Sequence, residues 1–164
     1  MSRKASSSSC ATPTWRRKNP SFYTGALDPN VYIARPYADA TTRMKAFIAY
    51  AERVPAAAAQ IKANLKLPLP ATFVKYGTAG FGGFADYYKG DAKAAFAEVK
   101  DAALQKQFDD VAAKAGAAMT DLAKYVGSQP GTPGGYALGA EKFSKMILYQ
   151  RRVSTRRSTS WSAS

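Results

Sequence analysis

The feature that most constrains how this chain can fold is the stretch from Asp101 to Val126, DAALQKQFDDVAAKAGAAMTDLAKYV. Its apolar positions Leu104, Phe108, Val111, Ala115, Met119, Leu122 and Val126 recur in steps of three and four, which holds all seven on one face of a helix. Lys106, Asp109, Asp110, Lys114, Asp121 and Lys124 fall on the other faces. Asp101 is placed to cap the start, and Gly127 sits where a left-handed closing residue is wanted. At 1.5 Å per residue the helix runs roughly 39 Å. A helix of that length with one apolar stripe needs other helices to cover it, so the rest of the chain is expected to supply them.

The flanking text does so. Met44, Phe47, Ile48 and Ala51 have the i, i+3, i+4, i+7 spacing of a buried stripe and predict a helix over Asp39–Arg53. Pro55 breaks it and suits the first turn of a second helix, Ala56–Lys66, that buries Ile61 and Leu65. A third begins after Pro70, with Phe73, Val74, Phe81, Phe84 and Tyr88 as its core candidates. It carries Gly77, Gly80, Gly82 and Gly83, each costing about 1 kcal/mol in a helix interior, so the run implies close helix contact, a kink or a loop. Asp91 is expected to cap a short helix with Phe96 and Val99. SQPGTPGGYALG reads as a loop, and a last helix, Ala140–Tyr149, offers Phe143, Met146 and Ile147 to the core. Before all of these, NPSFYTGALDPNVYIARPY reads as an extended arm or a short helical turn laid on the bundle, with a turn at Asp28-Pro29-Asn30. The expected fold class is all-α: an irregular bundle of five or six helices around one long helix, with disordered basic ends.

The 164 residues suffice for one domain with a real core, and three regions are expected. Residues 1–18 are a Ser-rich basic N-terminus without periodicity, 19–150 the helical domain, and 151–164 a basic Ser/Arg tail. The net charge of +13 is concentrated at the ends. Arg3, Lys4, Arg16, Arg17 and Lys18 have no acid near them, nor do Arg151, Arg152, Arg156 and Arg157. The basic residues Arg16, Arg17, Lys18, Arg151, Arg152, Arg156 and Arg157 are the candidates for phosphate contact, with Trp15 and Trp161 among them to stack on bases. The partner this predicts is nucleic acid, bound weakly and without sequence preference.

Catalytic chemistry finds little material. Histidine is absent, which removes the commonest general base and zinc ligand together. The single thiol, Cys10, lies in a Ser run with nothing organised to lower its pKa. GTAGFGGF (77–84) lacks the Lys-Ser/Thr of a phosphate loop and follows no strand. Asp109 and Asp110 are neighbours on a helix and point about 100° apart, a solvated face rather than a metal pair. Glu52, Glu98 and Glu141 stand alone in sequence, and an enzyme would need such carboxylates to meet in a pocket. No catalytic, cofactor or metal residue is assigned. No run of eighteen apolar residues predicts a membrane span, no secretory signal is recognised in MSRKASSSSCATPTWRRK, and localisation stays open.

Five pieces of text carry a family resemblance: NPSFY, RPYADATTRMKAFIAYAERVPAAAAQIKANL, PLPATFVKYG, QFDDVAAKAGAAMTDLAKYV and YALGAEKFSKMIL. Together, from Asn19 to Leu148, they span about 130 of the 164 residues and resemble the N-terminal half of the bacterial domain-of-unknown-function 885 proteins. That resemblance implies a helical fold and a metallopeptidase-like context. The family's distal half carries a gluzincin-type HExxH helix, whose histidines hold zinc and whose glutamate activates water. No position here matches that motif, so zinc is implied for full-length relatives and no cofactor for this chain. Full-length relatives are also the source of a possible export context. Where the family continues with an acidic helix, this chain reads RRVSTRRSTSWSAS; the expectation is a frame shift near residue 150 and a truncated product, inactive alone. A long helix deprived of its other half would expose an apolar face and associate with itself. The competing reading is a small basic module gripping nucleic acid with its two arms.

Overall fold

The computed structural model describes residues 16–135, 137 and 139–151. Its axis is the helix α6 (Ala102–Gly127), and every one of the seven stripe positions is buried. The Asp101 carboxylate accepts the Leu104 N–H at 3.0 Å, so the first turn is capped as its sequence predicts. The far end differs from expectation. Gly127 is the last helical residue and Ser128 follows in right-handed geometry, so the helix closes without a left-handed glycine. Positive φ occurs instead at Gly134, Gly135 and Gly139 in the loop beyond, where the chain must reverse without side-chain hindrance.

Around α6 stand α2 (Ala40–Ala51), α3 (Val54–Asn64) and α4 (Ala71–Lys89), the last being its principal partner. A one-turn helix α1 (Ser21–Thr24) precedes them, α5 (Asp91–Ala95) links α4 to α6, and α7 (Ala140–Arg151) comes last. The all-α bundle around one long helix is therefore the observed architecture. The α2 start is fixed by Asp39, which accepts both the Thr42 N–H at 2.9 Å and the Thr42 hydroxyl at 2.6 Å. These bonds hold the Asp39 carboxyl below its ordinary value, the hydroxyl contributing most. Pro55 sits in the first turn of α3, where its missing N–H has no helical duty.

One aromatic cluster joins four elements. The Phe47 ring of α2 meets Phe108 of α6 at 5.3 Å between centroids, Phe96 at 5.5 Å and Tyr88 of α4 at 5.8 Å. Edge and tilted pairings like these add about 0.5–1.5 kcal/mol each beyond area burial. The Phe96–Lys100 connector is held down by Gln105, whose amide donates to the carbonyls of Phe96 at 2.8 Å and Val99 at 2.9 Å. Arg43 similarly ties the arm to α2, its guanidinium donating to the carbonyls of Ala38 at 3.1 Å and Ile33 at 3.3 Å.

Several local expectations are corrected. Asp91 is the first helical residue of α5 and Gly90 precedes it as cap, with no side-chain capping bond. The arm takes the helical of its two expected forms here, a 3-10 turn at Pro29–Tyr32 capped by Asp28. The loop after α6 forms a two-residue parallel bridge: Leu69–Pro70 (β1) pairs with Gly131–Thr132 (β2). Only glycine fits at 131, because a Cβ would lie 2.7 Å from the Ala71 Cα. Phe143 on α7, expected in the core, is 50% exposed. The expected uncovered face of α6 is likewise absent from the described residues. Its stripe is covered within the chain, and the exposed large apolar side chains (Phe22, Val31, Tyr37, Leu67, Tyr76 and Phe143) all lie on other segments. The basic ends fall outside the described residues beyond Arg16 and Arg151, and with them the expectation of disorder there. Arg16–Lys18, assigned to the irregular N-terminus, form a 3-10 turn whose Arg17 carbonyl accepts the Lys66 N–H at 2.7 Å.

Candidate functional site

The glycine run that resists explanation from sequence lies entirely inside α4, which is continuous through it. Each glycine has its own surroundings. A Cβ on Gly77 would meet the Pro20 ring at 2.7 and 2.9 Å, and one on Gly80 would meet the Thr24 methyl at 2.9 Å. These two positions let the N-terminal arm lie against the helix, with Pro20 fully buried. A Cβ on Gly82 or Gly83 would meet nothing within 4 Å. Adjacent helix positions point about 100° apart, and accordingly each opens onto a different cleft. Gly82 lines one of about 390 Å³ between α4 and α6, with Thr78, Asp86, Lys89, Thr120 and Lys124. Gly83 lines one of about 530 Å³ between α4 and the arm.

The second cleft combines an acid with aromatic side chains. Asp28, Asn30, Phe84 and Tyr87 line it with Gly80 and Gly83, and Asp28 is the one charged lining residue among those described. Asp28 is positioned by its own capping bond: one carboxylate oxygen accepts the Asn30 N–H at 2.9 Å. Tyr87 contributes a hydroxyl that is buried and meets no protein partner among the described residues. Burial, then the negative charges of Asp28 and Asp91, push this phenol up to about 12. Behind it the Tyr88 ring stands edge-on at 6.4 Å, and the buried hydroxyls of Tyr50 and Tyr88 lie next to each other. Burial raises both of these phenols as well, Tyr50 to about 12. All three therefore stay protonated at neutral pH and act as donors, not as bases.

The structure describes only some of the residues singled out from sequence. Arg16, Arg17 and Lys18 share the first turn, with Arg17 partly buried and Lys18 exposed. Arg151 ends α7, and Arg152, Arg156 and Arg157 lie outside the described residues, as do Cys10, Trp15 and Trp161. Asp109 pairs with Lys93 at 2.9 Å, and Asp110 is exposed. Glu98 faces Arg43 at 3.8 Å, Glu141 pairs with Lys145 at 2.8 Å one turn along α7, and Glu52 is exposed. Among the described residues no three His, Cys, Asp or Glu side chains gather as a metal would need, and no helix is long and apolar enough to cross a membrane. The chain has no histidine, and Glu98, Asp109 and Glu141 each face a cation rather than one another.

Sequence reasoning reads Asp28 as a turn residue and Phe84 as core and does not single out Tyr87, because more than fifty positions separate the arm from the end of α4. The available signal was the glycine spacing itself: two glycines three apart, Gly77 and Gly80, mark a helix face that something lies on. No family model, curated protein or solved structure matches the chain.

Proposed function

We propose that this chain is a helical packing scaffold, resembling the non-catalytic N-terminal half of the domain-of-unknown-function 885 proteins, with no hydrolytic activity of its own. The observation that supports it is the packing of Pro20. Its ring lies against Gly77, and a Cβ at Gly77 would also reach Val126 at 3.4 Å. Three of the five text pieces that carry the resemblance, NPSFY, PLPATFVKYG and the QFDDVAAKAGAAMTDLAKYV helix, thus meet at one buried point. Matching text that builds a joint is structural text, which is what a scaffold requires. Nothing in that joint offers a nucleophile, a base or a metal ligand.

The test is direct. The purified chain, equilibrated with zinc and dialysed, is assayed for bound metal and for cleavage of a mixed peptide library. The scaffold reading expects neither stoichiometric zinc nor turnover. Tightly held zinc, or hydrolysis that survives further purification, overturns it.

A further inference from the structure

The cleft between the arm and α4 carries a charge opposite to that of the molecule. The chain as a whole bears +13, yet among the described residues Asp28 is the single charged group lining this cleft. Asp91 adds to the negative field felt at Tyr87. Phe84 and Tyr87 of α4 line the cleft, and Gly83 between them and Gly80 leaves open space where another residue would place a side chain. A cation among aromatic rings is attracted by their quadrupoles, and a nearby carboxylate adds a charge interaction. The bulk of a methylated ammonium, poorly hydrated and with apolar methyls, suits aromatic walls better than a strongly hydrated metal ion does.

We propose that this cleft is a binding site for a small organic ammonium group, a methylated amine or quaternary ammonium head, held by Asp28 against Phe84 and Tyr87. Gly83 supplies the room, since a Cβ there meets nothing within 4 Å. The site is independent of the scaffold reading above and stands or falls by itself.

The experiment is a titration of the isotopically labelled full chain, followed by amide NMR shifts at low salt. The probe is tetramethylammonium, and the control is 2-methyl-2-propanol, a neutral molecule of similar shape. The expected result is a saturable shift for the cation, centred on Asn30, Gly80 and Gly83, and none for the alcohol. Asp28→Asn keeps a good capping side chain and should weaken binding roughly tenfold. Gly83→Leu should abolish it by filling the cleft. Choline and free trimethyl-lysine, tested next, separate a head group from a modified side chain, and a response to either supports the site. Equal response to the alcohol, shifts that never saturate, or unchanged binding in Asp28→Asn overturns the proposal.

Discussion

The four glycines of α4 allow one prediction to be worked through from geometry alone. Replacing a helix-interior glycine by alanine should stabilise the helix by about 1 kcal/mol where the new methyl has room. At Gly82 and Gly83 it has room, with nothing within 4 Å, so each substitution should raise stability by that amount. At Gly77 the methyl would press on the Pro20 ring at 2.7 Å. That ring is rigid and fully buried, so relief requires the arm to lift. Overpacking of this kind costs about 1–3 kcal/mol, and after the helical gain a net loss of up to about 2 kcal/mol remains. Gly80 is intermediate. The clash is with a single methyl, but Thr24 is held by its hydroxyl donating to the Ser21 carbonyl at 2.7 Å, so the substitution should come out near neutral. Thermal and urea unfolding of the four alanine variants give the order, with roughly 2–4 °C in Tm for each kcal/mol. Amide exchange at Tyr23, whose N–H donates to the Pro20 carbonyl at 3.0 Å, should quicken in Gly77→Ala alone. Stabilisation in Gly77→Ala equal to that in Gly83→Ala would refute the seating of the arm on α4.

Three further outcomes are expected. Phe47→Ala removes the ring at the centre of the aromatic cluster and should cost about 3–5 kcal/mol, whereas Phe143→Ala, at a half-exposed site, should stay within about 0.5 kcal/mol; unfolding titrations compare them. Tyr50 and Tyr87 ionise near 12 in the folded chain against 10.0 ordinarily, so the unfolded state releases their protons first. Their stabilising effect is complete below about pH 10 and is lost as pH rises towards 12, which unfolding curves across that window should show as a steady decline. For the basic arms, affinity for a generic single strand should fall steeply with salt and vanish on removal of residues 1–18 and 151–164; binding that ignores salt would dismiss that reading.

What the sequence determined by itself was the periodic part of the molecule. The steps of three and four along α6, the Met44-Phe47-Ile48-Ala51 stripe of α2 and the capping role of Asp101 are all local, since a helix bonds within four residues and a stripe declares its buried face. Phe143 shows the limit of that logic. Its spacing in AEKFSKMIL suits a core position, but burial needs a neighbour to cover it, and spacing does not say whether one is there. Tertiary structure alone decided the rest. The glycines at 77 and 80 look like defects until Pro20 and Thr24 occupy the space they leave. The Gly131–Thr132 bridge depends on an edge at Leu69–Pro70 some sixty residues away. Asp28 and Tyr87 acquire a common cleft only because the arm returns along α4. These features arise from contacts between segments distant in sequence, whose pairing leaves no period in either partner and is chosen by the shape of the assembled core.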